Sequence, residues 1–111
     1  MPILNISNCR NKKKIVLADN EDISTGISRI IPPFKTWTLY LEVNSRNVIE
    51  IEFSPENEVI PNTAKFFGIP ESPVRMLDSD SAQISMDYDV GIIRITGSTT
   101  AITTAIIRGN L

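Results

Sequence analysis

The type and spacing of Glu50 and Glu52 suit acid/base catalysis. Two positions apart on an extended strand, their carboxylates share one face at a separation of about 7 Å, which is an arrangement that glycoside hydrolysis uses. They also alternate with Ile49 and Ile51, which is the pattern of a solvent-facing sheet surface. The chain contains no histidine, the residue most often used for proton transfer. We therefore predict that the protein is not an enzyme and has no small-molecule substrate.

The residue types also argue against a metal centre and an activated nucleophile. Zinc in its common forms needs several cysteine and histidine ligands, whereas the chain has Cys9 alone and no histidine to activate it. The pairs Asp78/Asp80 and Asp87/Asp89 lack the Gly and Glu positions of a helix–loop–helix calcium loop, and aspartates so placed are typical of turns. We predict no cofactor and no metal, with a weak calcium site of another type left open at these turns.

Two aromatic residues offer a way to bind sugars by stacking. Trp37 and Tyr40 fall on one predicted strand, but their odd spacing puts them on opposite faces, so they cannot form one platform. We expect Trp37 in the core and Tyr40 half-exposed. A carbohydrate-binding module on a β-sandwich is the alternative function.

The first fourteen residues form the segment best suited to a protein contact. They combine an apolar patch with a basic cluster, so they fit either an edge strand with a solvated turn or a binding arm. As an arm, the segment would bury apolar side chains on a neighbour and set its cations against acidic groups. The net charge of −2 and the lack of interleaved aromatics argue against nucleic acid. The predicted partner-binding residues are Ile3, Leu4, Ile6, Arg10, Lys12, Lys13 and Lys14.

Period-2 alternation dominates the segments that must position these side chains. The runs 36–43 and 48–53 alternate apolar and polar residues around a polar turn, which predicts a hairpin. Three runs rich in Ile and Thr predict a C-terminal meander, at 83–87, 91–96 and 100–108. The strand at 100–107 is uncharged, so it is either covered inside the fold or an assembly edge. Shorter strands are expected at 3–6, 14–18 and 27–31, and the best helical turn lies at 63–67.

About eight short strands without long helices predict an all-β fold, a sandwich of two antiparallel sheets. A jelly-roll-like order is preferred, and a small barrel is the alternative. The chain of 111 residues has the size of one domain, which we divide into an arm or edge strand at 1–14 and a sandwich at 15–111. No apolar run approaches the roughly 20 residues of a membrane span, so we expect no membrane partner.

The chain resembles the small decoration proteins of tailed-phage capsids, and most of all the staple-like proteins of the epsilon-fifteen type of short-tailed Salmonella phage. The resemblance rests on length, on the absence of histidine, on the Pro-rich connection at 54–73, and on the strands of 36–53 and 91–108. It implies a structural protein that binds the major capsid protein on the outside of the virion, after synthesis in the host cytoplasm, and staples neighbouring capsomers. With this role we expect a homodimer. No residue role is carried over, because no family motif is present to match.

Overall fold

The computed structural model of the chain describes residues 12–56, 65–87 and 91–110, with Lys12 described by its backbone alone. Every regular element in these ranges is a β-strand. None of the described segments is a helix long and apolar enough to cross a membrane. The strands of the described part are β1 Lys12–Asp22, β2 Ile27–Ile30, β3 Thr36–Val43, β4 Asn47–Ser54, β5 Phe67–Gly68, β6 Val74–Met76, β7 Ser81–Met86, β8 Ile92–Gly97 and β9 Ile102–Asn110.

The strands form two antiparallel sheets, which we call the first and the second sheet. The first sheet has the order β1-β9-β3-β7, and the second has the order β2-β8-β4-β5, with β6 also paired to β4. The long strands alternate between the two sheets along the chain, which is a jelly-roll arrangement. The predicted all-β, jelly-roll-like sandwich is therefore confirmed, and the small-barrel alternative is wrong.

Two predicted strand pairings are wrong. The strands β3 and β4 lie in opposite sheets, so they do not form the predicted hairpin. The C-terminal strands do not form a meander either, because β8 lies in the second sheet while β7 and β9 lie in the first. The physical reason is that alternation fixes which face of a strand is buried but not which strand lies beside it, and the connections after β3, β7 and β8 cross to the opposite sheet. Leu39 of β3 and Ile51 of β4 belong to one core cluster and are fully buried.

The remaining strand predictions have mixed outcomes. The run 14–18 lies within the longer β1, and the run 27–31 contains β2. The uncharged run at 100–107 lies mostly in β9, which is covered because it pairs with β1 on one side and β3 on the other. The helical turn at 63–67 is wrong at its described end, because Phe67 belongs to β5 and pairs with Phe53 of β4. The strand predicted at 3–6 lies outside the described residues.

The core lies between the two sheets and takes the inward-facing residues of both. Trp37 is buried as expected, at 3% exposure, and lies in the same cluster as the isoleucines of the second sheet. Burying one large aliphatic side chain stabilises a fold by about 1.5–3 kcal/mol. The largest fully buried side chains are Leu17, Ile23, Leu39, Leu41, Val43, Ile49, Ile51, Met76, Ile92, Ile93, Ile95 and Ile107.

Two asparagines hold one end of the sandwich together. Asn44 lies in the segment between β3 and β4, and its side-chain oxygen accepts a hydrogen bond from the Ile102 backbone N–H at 2.9 Å. The buried Asn47 accepts hydrogen bonds from the backbone N–H groups of Ser98 at 3.0 Å and Thr99 at 3.2 Å. The turn after β3 is therefore fixed to the start of β9, and the start of β4 is fixed to the segment that joins β8 to β9.

Candidate functional site

The structure describes only part of the predicted partner-binding segment. Lys12, Lys13 and Lys14 begin β1, an edge strand of the first sheet, and pair with Asn110, Gly109 and Arg108 of β9. The other predicted residues lie outside the described ranges, as does Cys9; they are Ile3, Leu4, Ile6 and Arg10. The described end of this segment therefore lies beside the outer face of the first sheet.

An apolar stripe crosses the outer face of the first sheet. Cross-strand pairing aligns Val16 with Ile106, and Ile106 with Tyr40. Val16 is 45% exposed and Tyr40 is 37% exposed, while Ile106 is half-buried between them. We call these three residues the apolar stripe. Tyr40 has the half-exposed position predicted for it, on the face opposite to that of Trp37.

A basic pair lies on one side of the apolar stripe. Lys14 pairs directly with Arg108, and both side chains are exposed. They lie two residues along their strands from Val16 and Ile106, a distance of about 7 Å. Like charges placed directly opposite each other on neighbouring strands destabilise a sheet. This pair therefore gives the isolated chain a local electrostatic cost, which an acidic partner would remove.

Acidic side chains lie on the other side of the stripe. Glu42 follows Tyr40 by two residues on β3 and pairs with Thr104 of β9. Further along, Asp22 pairs with Ile102. Hydrogen bonds from the side chain and backbone of Ser24 hold the pKa of the Asp22 carboxyl below its ordinary value of 3.8, so this group is ionised at neutral pH. We call Glu42 and Asp22 the acidic end of the face.

The charged side chains named above form no salt bridges within the described part of the chain. Within the described ranges the one salt bridge joins Arg94 and Glu52 on the second sheet. None of Lys14, Arg108, Glu42 and Asp22 takes part in it. The first sheet therefore presents a stripe of apolar side chains with Lys14 and Arg108 on one side, where the exposed Asp87 also lies, and Glu42 and Asp22 on the other.

A shallow groove of about 460 Å³ runs along the basic side of this face. It lies beside the ring of Tyr40 and is lined mainly by polar side chains. Two of these are already bonded to each other, because the hydroxyl oxygens of Thr38 and Ser85 are 3.0 Å apart. Other residues of the lining are Thr36, Asp87, Arg108 and Asn110. The groove thus offers one aromatic surface and several hydrogen-bonding groups.

The glutamates singled out for acid/base chemistry lie on β4 of the second sheet. Glu52 accepts hydrogen bonds from Nε of Arg94 at 3.2 Å and from Nη2 of the same residue at 3.0 Å. The guanidinium of Arg94 also stacks over the ring of Phe66, 3.9 Å from its centroid. Because its carboxylate is held by a guanidinium, Glu52 is a structural group of the sheet surface. Glu50 is exposed beside it.

The Asp78/Asp80 pair has the turn chemistry that its spacing predicts. Asp78 accepts a hydrogen bond from the Arg46 backbone N–H at 2.9 Å. Asp80 accepts one from Leu77 at 3.0 Å and one from Ser81 at 2.9 Å. Asp87 is exposed at the end of β7, and Asp89 lies outside the described ranges. Over the described residues, no cluster of three or more candidate metal ligands is found.

Comparisons with known proteins show a similarity of fold. No family model and no curated protein matches the chain. A structure of the disulfide-linked pili of Bacillus endospore appendages is 17% identical, with a TM-score of 0.41 over 90% of this chain and 87% of that chain. A structure of infectious bursal disease virus, Gx strain, is 9% identical, with a TM-score of 0.46 over 89% of this chain and 32% of that chain.

A third similar structure is an enzyme with a carbohydrate-binding module. It is the CBM22-1–GH10 part of Clostridium thermocellum xylanase 10B in complex with xylohexaose, 8% identical, with a TM-score of 0.47 over 92% of this chain and 25% of that chain. The chain therefore spans about a third of the viral protein and a quarter of the xylanase. Identities this low concern the β-sandwich fold alone.

Proposed function

We propose that the chain is a non-enzymatic structural protein that acts through protein–protein contacts in a repeating assembly. The assembly proposed is a viral capsid, on whose outer surface the protein binds the major capsid protein and staples neighbouring capsomers. The observation that carries the proposal is the outer face of the first sheet, where an apolar stripe lies between the basic pair Lys14/Arg108 and the acidic residues Glu42 and Asp22, none of which is in a salt bridge in the described part of the chain. The capsid itself comes from the resemblance of the sequence to phage decoration proteins.

The sandwich suits a structural role because its core is buried between two sheets and side-chain hydrogen bonds fix its connections at one end. Contacts repeated over a lattice add their effects, so a subunit with individually weak contacts is held firmly once it engages several neighbours. Such a subunit needs a rigid body and accessible contact surfaces. The sheet pairings and the Asn44 and Asn47 hydrogen bonds make the body rigid. The outer face of the first sheet is an accessible contact surface.

The shell contact is assigned to the arm at 1–14, as predicted from its apolar and basic residues. The described end of the arm supports this assignment, because Lys13 and Lys14 are exposed at the start of β1, beside Arg108. The described end of the arm therefore lies beside the basic pair of Lys14 and Arg108. Acidic groups on the shell are the complementary surface, and salt is expected to weaken the contact.

Co-sedimentation with undecorated capsid shells tests the proposal. Removing residues 1–11 leaves β1 intact, because this strand begins at Lys12. We expect the full chain to sediment with the shells and the truncated chain to stay mostly in the supernatant, with melting temperatures within about 2 °C of each other. Arg75→Glu, an exposed change on the second sheet, is the charge control and should bind like the full chain. Full-length protein that never sediments with shells would reject the function.

Carbohydrate binding is the second candidate, favoured by the groove beside Tyr40. A sugar ring stacked on Tyr40 would have hydrogen-bonding groups of Thr36, Asp87 and Arg108 within the same groove. A glycan array with the wild-type chain and two variants tests it. Tyr40→Ala should abolish binding, whereas Tyr40→Phe keeps the aromatic surface and should retain most of it. A wild-type chain that binds no glycan on the array removes this candidate.

A further inference from the structure

We infer that the free edge of β7 accepts an extended segment of the shell protein as an additional strand of the first sheet. β7 is the last strand of that sheet and pairs on one side only, with β3. The inference rests on the proposed function for the identity of the partner, and it adds a second shell contact with its own chemistry. The observations that carry it are the backbone groups, the surroundings and the flanking charges of β7.

The register of β7 shows which of its backbone groups face away from the sheet. The Val43 N–H donates a hydrogen bond to the Asp80 carbonyl oxygen at 3.0 Å, where β3 and β7 begin to pair. Opposed residues of an antiparallel pair alternate between those that exchange backbone hydrogen bonds and those that do not. Ile84 therefore bonds to β3, whereas Gln83 and Ser85 direct their N–H and C=O groups away from it. Within the described ranges these outward groups have no hydrogen-bond partner.

The other edges of the described sheets have features that discourage pairing with a foreign strand. β1 carries three consecutive lysines, at 12–14, and two register shifts interrupt its pairing. β2, β5 and β6 are only four, two and three residues long. In contrast, β7 has six residues with no charge, no proline and no register shift. It is therefore the edge of the described sheets best suited to the addition of a strand.

The core is incompletely covered on the side where β7 lies. β1 and β2 contact each other on one side of the sandwich, so β7 lies on the other side, with β5 and β6. There Ala82 and Val74 point inward, because they pair with the buried Leu41 and Ile49, but both are only half-buried. Phe67 of β5 is 52% exposed. Alternate side chains of a strand added to β7 would bury apolar surface at this opening.

The edge is continuous with the apolar stripe on the outer face of the first sheet. Gln83 pairs with Tyr40, so it extends the line of Val16, Ile106 and Tyr40 to the margin of the sheet. A partner that covers the outer face therefore also reaches the free edge of β7. This continuity favours the shell, the partner proposed for the outer face, as the source of the added strand.

Acidic residues at both ends of β7 define the chemistry of the segment. Asp80 precedes the strand and Asp87 follows it, about 23 Å apart by strand geometry. In the described part of the chain neither is in a salt bridge. A segment with a neutral centre and a basic residue at each end complements this edge. Antiparallel pairing of two β7 edges would instead bring Asp87 of each copy beside Asp80 of the other, and such like-charge neighbours destabilise a sheet.

The two edges of the first sheet then have different shell contacts. The arm is joined to β1 and needs acidic groups, whereas the β7 edge needs an extended segment with basic ends. β1 and β7 are separated by three strand spacings, or about 14 Å. One chain can therefore hold two different shell subunits, one at each edge of the sheet.

Hydrogen–deuterium exchange on the full chain tests the inference. The amides of Gln83 and Ser85 face solvent in the free chain, and we expect their exchange to slow by at least about tenfold on undecorated shells. The matched control is the Ser28 amide on β2, which also points away from its sheet, because the Ile31 N–H bonds to the Gly91 carbonyl oxygen and fixes the alternation there. Its exchange should not change. Shell-bound chain with unprotected β7 amides, or with equal protection of Ser28, would overturn the inference.

Proline variants block the edge without breaking the pairing of β7 with β3. Gln83→Pro removes an outward N–H, at a position where an edge strand tolerates proline, and should bind shells at least about tenfold more weakly. Ser28→Pro makes the same change on β2 and should bind like the wild type. Circular dichroism checks that both variants fold, and the exchange experiment decides the matter if either does not. Wild-type affinity in a folded Gln83→Pro variant would contradict the inference.

A peptide probe separates the edge from the shell. The capped peptide Lys-Val-Thr-Val-Thr-Val-Lys, at about 1 mM, should protect the Gln83 and Ser85 amides of the free chain, and the same peptide with Asp at both ends should not. Equal effects of the two peptides would refute the assigned chemistry. Protection that grows with the concentration of the chain alone would assign the edge to a second copy and refute it too. A chain that never sediments with shells rejects the proposed function, whereas one that sediments with unprotected β7 amides rejects this inference alone.

Discussion

Replacing Asn47 by alanine should destabilise the sandwich far more than its position beside a polar turn indicates. Asn47 is 1% exposed. Its side-chain oxygen accepts hydrogen bonds from the N–H groups of Ser98 at 3.0 Å and Thr99 at 3.2 Å, and its amide nitrogen donates to the Thr103 hydroxyl at 3.4 Å. Each buried hydrogen bond contributes about 1 kcal/mol, and the lost side-chain volume adds to the cost. We expect Asn47→Ala to lower the free energy of unfolding by about 2–4 kcal/mol.

Urea denaturation measures this free energy, with Asn110→Ala as the matched control. The Asn110 side chain makes one exposed hydrogen bond, from its amide nitrogen to the Thr36 hydroxyl at 3.3 Å. The control should therefore lose no more than about 0.5 kcal/mol. The denaturant slopes of both variants must match that of the wild type for the comparison to hold. If Asn47→Ala lies within about 0.5 kcal/mol of the control, the Asn47 hydrogen bonds do not stabilise this end of the sandwich.

Two further predictions concern glycine packing and pH. A β-carbon on Gly109 would lie 2.5 Å from Cγ of the buried Phe34 ring, so thermal unfolding should show that Gly109→Ala loses about 1–3 kcal/mol of stability. The control is Gly68→Ala, which should lose almost none, because no atom lies within 4 Å of a β-carbon built there. Equal losses in the two variants would contradict the packing of Gly109 on Phe34. Ser24→Ala should raise the pKa of Asp22 towards 3.8 in an NMR titration, and Ser24→Thr should not, since the hydroxyl is kept. The lowered pKa of Asp22 stabilises the folded state when the pH is above the pKa of this group in the unfolded chain, about 3.9. This stabilisation is lost as the pH falls through the pKa of the group in the folded chain. An unchanged pKa in Ser24→Ala would show that the hydroxyl does not lower the pKa of Asp22.

The alternation in the sequence predicted which side chains face the core. On β3 the four residues predicted to share one face are all buried, and those between them are exposed or half-buried. Pairing between strands was not predictable in the same way. Alternation identifies the apolar face of a strand but not the strand beside it. Here Asn44 bonds to the first residue of β9 and Asn47 to the segment between β8 and β9, and their turn leads from one sheet to the other instead of closing a hairpin.

The outer face of the first sheet was harder to predict from the sequence than the core. Ile106 and Ile107 are consecutive, so on a strand only one of them can point into the core; Ile107 is buried and Ile106 belongs to the stripe. Val16 lies similarly among apolar residues of β1, which has a register shift between Val16 and Ala18. Doubled apolar residues in an alternating strand therefore indicate apolar side chains on the outer face. That Val16, Ile106 and Tyr40 lie in one line depends on how the strands pair, which involves residues far apart in the sequence.

The two outer faces of the sandwich differ in how their arginines are placed. Arg94 on the second sheet has its charge paired with Glu52 and its plane covered by Phe66, so the isolated chain already satisfies it. Arg108 on the first sheet has Lys14 directly opposite instead. A fold that needed only stability would gain from an acidic residue at either position, because opposite charges across a strand pair are favourable and like charges are not. Acidic groups of a partner that approach Lys14 and Arg108 remove this cost.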